Sequence, residues 1–182
     1  MDNILYTQEA IGQSDTAIYR TVMRMAELIK TYAVHPYVRW WAEQIVGEVE
    51  AYQTRYEIGA VYNFIQENVR YTKDAVNWEW IKTPELVLHE IQTKGASFGD
   101  CDDMTVLGLT LLRSIGFPVA IKIVSYHPDR EFTHVYGLVF VDGKWEAFDA
   151  IKKEFYVGYE HPGVTRYGIF DIDNIPSLAY FL

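Results

Sequence analysis

The stretch Gly99-Asp-Cys-Asp-Asp-Met-Thr-Val-Leu-Gly-Leu-Thr-Leu-Leu-Arg-Ser-Ile-Gly-Phe-Pro118 carries fold and chemistry together. Cys101 to Ile115 reads as one apolar helix. Asp100 suits its N-cap, and Asp102 and Asp103 suit the positive field of its first turn. Gly116 suits a left-handed stop, and Pro118 follows as a helix terminator. Cys101 then occupies the first helical position, where unpaired backbone N–H groups favour an anion. It is the only cysteine of the chain. A free thiol titrates near pH ~8.5, so helix end and imidazolium together are expected to lower it. Carboxylates act in the opposite direction. Asp100, Asp102 and Asp103 are therefore expected to point away from sulfur, capping the helix or bonding the loop.

Downstream lie two apolar segments, 119–126 and 134–141, rich in β-branched and aromatic residues. Asp142-Gly143 is a two-residue hairpin signal, and Lys144 to Asp149 returns as the next strand. With that turn, Val141 pairs near Lys144 and position 134 falls near position 151. His134 and Asp149 are then about one residue pair apart and share a face by parity. Cysteine, histidine and aspartate in this order are the parts of a nucleophilic acyl-transfer site.

At these residues the chain resembles the transglutaminase-like superfamily, a branch of the papain-like cysteine enzymes. The resemblance covers about residues 60–150. It rests on Gly99 to Asp103, Leu111-Leu-Arg-Ser-Ile-Gly-Phe-Pro118, His134-Val-Tyr136, and Gly143-Lys-Trp145 leading to Asp149. Met104 and Thr105 depart from the small residues that many members carry after the cysteine. The resemblance implies an α+β fold, with helices packed on an antiparallel sheet and the nucleophile opening the central helix. It implies Cys101 as nucleophile, His134 as general base and acid, and Asp149 as the group orienting His134. Small members with the cysteine-Asp-Asp form are familiar from bacterial and phage genomes. The expected reaction is thiol attack on an amide of a peptide or protein, ending in protease- or amidase-type hydrolysis with water, with cross-linking to an amine as the alternative. A phage structural or assembly protein that keeps the fold is the competing reading. The Cys101 N–H is the expected first oxyanion donor, with Gln92 and Trp80 as candidates for the second.

Asp100, Asp102 and Asp103 with His134 also permit a divalent-cation site. The spacing matches no calcium loop, and a single cysteine cannot furnish paired zinc ligands. The expected enzyme needs no metal and no cofactor. His35, His89, His127 and His161 read as structural or solvent-facing.

A length of 182 residues suits one domain, with 49% apolar residues to fill a core. The expected layout is a helical N-terminal layer over 1–56, a catalytic core over 57–150 and an aromatic extension over 151–182. Sixteen basic against 25 acidic residues give a net charge of −9, which disfavours nucleic acid and anionic membranes as partners. A lone cysteine fits a reducing compartment. Met1 to Tyr6 lacks the pattern of a signal peptide, so the expected location is the cytoplasm, or a virion if the source is a phage.

The first third predicts three helices. One follows Ser14 or Asp15, one opens at Pro36 with a stripe running from Val38 to Tyr52, and one spans Ile58 to Val69. Arg70-Tyr71 and Asn77 to Trp80 read as loop, and Thr83-Pro84-Glu85 as the start of a short helix through Glu90. In the family, a segment like Asn68-Val-Arg-Tyr71 leads toward the substrate cleft. Trp78 and Trp80 either line a groove or clasp the core. The aromatic tail, with Phe155, Tyr156, Tyr159, Tyr167, Phe170, Tyr180 and Phe181, either adds an edge strand, covers the sheet or docks on another subunit.

Overall fold

The computed structural model describes residues 6–10, 15–47, 49, 53–73, 78–128, 131–173 and 178–181. In chain order the elements are β1 (Tyr6–Ala10), α1 (Asp15–Ala33), α2 (Pro36–Val46), α3 (Thr54–Asn68), β2 (Val69–Tyr71), β3 (Trp78–Lys82), α4 (Pro84–Lys94), β4 (Ser97–Gly99) and α5 (Cys101–Ser114). Then follow β5 (Val119–Ser125), β6 (His134–Val141), β7 (Lys144–Phe148), β8 (Arg166–Asp171) and β9 (Leu178–Phe181).

The helices form where apolar residues recur every three or four positions. Val22, Met25, Ala26 and Ile29 of α1 are buried, as are Ile58, Val61, Tyr62 and Ile65 of α3. Pro36 supplies the first residue of α2, where a missing N–H costs nothing. Its expected stripe extends to Tyr52, but the helix ends at Val46. Tyr52 lies outside the described residues. Thr83 caps α4 by accepting the Leu86 N–H at 3.2 Å, and Gly95 ends that helix at φ 79°. α4 therefore runs on to Lys94, past the expected stop at Glu90.

α5 is buried along nearly its whole length, with α1 to α4 around it and β6 beneath. A helix apolar on all sides belongs in such a position. Gly108 shows how close the packing is, since a Cβ there would stand 2.6 Å from Cε1 of Phe148.

The main sheet is antiparallel throughout, in the order β7-β6-β5-β8-β9. Asp142 and Gly143 both take positive φ, 51° and 79°, as a type I′ turn requires. The register is the expected one, with Val141 opposite Lys144 and Gly137 opposite Phe148. Helices cover the face carrying Ile121, Ile123, Val135, Val139 and Phe170. The opposite face carries Ala120, Val124, Tyr136, Leu138 and Ala147. Lys122 fixes the segment before β8 to this second face. Its ammonium donates to Glu160 at 2.7 and 2.9 Å and lies over the rings of Tyr136 and Tyr167. Tyr136 Oη donates to the same Glu160 at 2.6 Å.

Three segments differ from the sequence reading. Val69–Tyr71 pairs in parallel with Ser97–Gly99, and Trp78–Lys82 pairs antiparallel with Tyr6–Ala10. Arg70-Tyr71 and Trp78 to Trp80 are thus strands rather than loop, and Ser97 to Gly99 forms a strand where no element was expected. Each is too short to show an alternating pattern, and its partner is distant in sequence. The tail supplies two strands, and β8 lies against the second edge of β5.

Candidate active site

Three elements converge at the N-terminus of α5. Asp100 caps it, its Oδ1 accepting the N–H groups of Asp102 at 3.0 Å and Asp103 at 3.4 Å. Asp103 Oδ1 accepts the Lys82 backbone N–H at 2.7 Å, which ties the loop after β3 to the helix. Residue 99 is glycine for steric reasons: a Cβ there would stand 2.6 Å from Asp103 Oδ2. The expected capping and loop-bonding roles are thus filled by Asp100 and Asp103.

Asp102 behaves otherwise. Its Oδ1 accepts the Cys101 thiol at 3.6 Å, so it faces the sulfur that it was expected to avoid. The thiol also departs from expectation. Burial pushes Cys101 well above the ordinary thiol range, and the negative charges of Asp102 and Asp100 add to the rise. The Val135 backbone N–H donates to the sulfur and opposes this, but does not outweigh it. Sequence reasoning credited the helix end with more influence than it has once the sulfur is half-buried beside two carboxylates.

The histidine and the aspartate meet as the hairpin register requires. His134 Nε2 donates to Asp149 Oδ2 at 2.8 Å, with both side chains under a tenth exposed. A carboxylate can only accept, so the neutral ring carries its proton on Nε2 and its lone pair on Nδ1. Two further bonds hold Asp149: its carbonyl accepts the Tyr62 hydroxyl at 2.6 Å, and its Oδ1 accepts the Ile151 N–H at 3.4 Å. Aromatic rings wall the imidazole. Tyr126 lies nearly parallel to it at 6.5 Å, and Tyr136 is tilted at 5.6 Å. His161 meets Tyr126 edge-on at 4.9 Å, and its Nδ1 accepts the Gly163 N–H. α5 is tied to β6 at the same place, since Thr105 Oγ1 donates to the Val135 carbonyl at 3.4 Å. Cys101 thus stands beside the strand residue that follows His134.

Gln92 lies on the side of α4 facing α2, where its Oε1 accepts the Tyr37 hydroxyl at 2.9 Å. Trp80 remains partly exposed on β3. The aromatic wall of Tyr126 escaped the sequence reading. Its only signal was a tyrosine at the end of the predicted strand preceding His134.

One ligand atom each of Asp100, Cys101 and Asp102 lie within 4.8 Å of one another. As a cation site this set is poorly disposed. One Asp100 oxygen is taken by two backbone N–H groups, one Asp102 oxygen by the thiol, and His134 is turned to Asp149.

Comparison with known proteins gives the same architecture. A search of curated proteins finds no match. Among solved structures, a proposed protease from Parabacteroides distasonis superposes with a TM-score of 0.54 at 13% identity, over 71% of this chain and 26% of that one. A proposed cysteine protease from Cytophaga hutchinsonii gives 0.50 at 16% identity, over 97% of this chain and 58% of that one. LapG of Legionella pneumophila gives 0.49 at 13% identity, over 87% of each chain. The chain therefore spans about a quarter and rather more than half of the first two structures, and what they share with it is the fold. The family model described as the transglutaminase-like superfamily matches residues 39–150, a span that contains α5, the β6–β7 hairpin and the residues Cys101, His134 and Asp149, and the chain belongs to that superfamily.

Proposed function

We propose that this protein is a thiol-dependent acyl-transfer enzyme that hydrolyses amide bonds of a peptide or protein. Cys101 is the nucleophile, His134 the base and acid, and Asp149 the group that orients His134. The observation that carries this reading is the buried His134–Asp149 bond at 2.8 Å beside a strand N–H donating to the Cys101 sulfur. The bond leaves Nδ1 as the one basic atom of the ring.

The raised thiol has a mechanistic consequence. The resting site holds a neutral thiol, so His134 Nδ1 takes its proton as the sulfur attacks the carbonyl carbon. The tetrahedral intermediate collapses with cleavage of the C–N bond, and the imidazolium returns the proton to the leaving amine. A thioester remains on Cys101. Water then attacks it, His134 takes the water proton and passes it to sulfur, and the carboxylic acid departs. Water needs no further binding site, which favours hydrolysis over transfer to an amine.

The test is a peptide-based electrophilic probe with mass-spectrometric location of the adduct. The expected adduct is on Cys101, with none in Cys101→Ala. Turnover retained by Cys101→Ala would remove the thiol from the chemistry. A fluorescent primary amine incorporated into protein faster than water cleaves it would convert the reading to cross-linking.

A further inference from the structure

We propose that the phenol of Tyr71 is the second donor of the oxyanion site, working with the backbone N–H of Cys101. This rests on the thiol acyl-transfer reading above. The geometry begins with the short parallel pair of β2 and β4. Tyr71 lies opposite Gly99, two residues before the nucleophile, and the Thr72 N–H donates to the Gly99 carbonyl at 2.8 Å. Val69 and Ser97 at one end of this pair are buried, and Arg70 and Phe98 face outward. Alternation puts Tyr71 on the inner face with Val69, toward the N-terminus of α5. Tyr71, the last residue of its strand, is nevertheless 43% exposed.

The phenol lies within the electrostatic reach of Cys101, Asp100, Asp102 and Asp149, which agrees with the placement beside Gly99 that the strand pairing gives it. Burial and those negative charges push it up to about 12, which keeps it a protonated donor at any pH where the enzyme works. Among the described residues no hydrogen bond occupies its hydroxyl. Within the first turn of α5, Asp100 takes the N–H groups of Asp102 and Asp103 and leaves that of Cys101. A carbonyl oxygen drawn toward the Cys101 N–H is therefore offered a second donor by the Tyr71 phenol. The charge that develops on this oxygen during attack is what two such donors stabilise.

Two reagents that both modify Cys101 separate this role from a structural one. Acylation by p-nitrophenyl acetate passes through a tetrahedral oxyanion; alkylation by iodoacetamide does not. In Tyr71→Phe the p-nitrophenolate burst should slow by about 10²-fold while alkylation stays within about twofold of the parent chain. The ratio of the two rates is the readout, and Trp80→Phe is the comparison. An unchanged burst, an equal fall in both rates, or a selective fall in Trp80→Phe alone would overturn the assignment to Tyr71 and leave Cys101 as the nucleophile. A parent chain showing no burst that Cys101→Ala abolishes would overturn the thiol reading, and this assignment with it.

Discussion

After burial, Asp102 is the residue that does most to keep Cys101 a neutral thiol. Its carboxylate accepts the thiol proton and destabilises the thiolate that would replace it. The sign follows directly: a neighbouring anion favours the neutral thiol, so removing it lowers the thiol pKa. Asp102→Asn should therefore move the pH profile of iodoacetamide alkylation toward lower pH. A profile shifted upward would contradict the geometry. His134→Ala should slow acylation by about 10²–10⁴-fold, the usual share of a positioned base. Asp149→Asn should be milder if orienting His134 is its only role; a burst assay on both variants gives the order. Chelation by EDTA should leave turnover unchanged and alkylation should abolish it. Loss on chelation, restored by one divalent ion, would instead identify Asp100, Cys101 and Asp102 as a cation site. The meeting of His134 with Asp149 and the place of Cys101 at the head of α5 could be read from the sequence because each stands in a local pattern: a cap, a strand start, a hairpin end. The charge state of Cys101 could not. It depends on how far the sulfur is buried and which way Asp102 turns, and neither is encoded in spacing.

Between elements, the ties that hold the site are few and testable. Glu90 of α4 accepts from Ser97 of β4 at 2.7 Å and from Lys82 of β3 and Lys94 at 2.9 Å each. Burial raises its carboxyl, but these bonds outweigh burial and hold it at about 2. A folded-state pKa below the unfolded one gives stability that is present above the unfolded value and lost as pH falls toward the folded one. Urea denaturation should therefore show stability falling between about pH 5 and pH 2, with Glu90 supplying on the order of 2–3 kcal/mol. Glu90→Gln should flatten that fall; an unaltered slope would mean that the cluster contributes little. Gly108 allows a second test. Alanine would gain helix propensity of about 1 kcal/mol, yet its methyl would press on Phe148 and Ile65. Overpacking should win, with Gly108→Ala destabilising by about 1–2 kcal/mol in thermal unfolding. The helices and the β6–β7 hairpin were legible because their signals are local: apolar periodicity, Pro36, Asp142-Gly143. β2, β3 and β4 were not, because strands of three to five residues acquire their identity only from distant partners.

At the scale of the whole molecule, the chain assembles five sheet strands against a buried helix that presents Cys101 at one end. Among the described residues no helix is long and apolar enough to cross a membrane. The acidic charge of −9 and the aromatic tail resolve differently. Charge bears on partners. The tail is architecture in part, since Phe170 is buried in the main core and β8 pairs with β5 along six residue pairs. The order of strands also governs synthesis. The ribosome delivers Cys101, His134 and Asp149 before β8 exists, so for a time β5 carries the reactive half of the protein with one edge unpaired. An open edge beside a finished hairpin invites pairing with a second nascent chain. Release of a chain stopped at residue 165 should accordingly give aggregates rather than a precocious enzyme, measurable as loss from the soluble fraction in a cell-free translation. A soluble, alkylation-competent fragment would show that β8 is dispensable. If it is not, β8 acts as a clock on the chemistry proposed for Cys101: the nascent thiol waits for its finished sheet until residues 166–171 have been made.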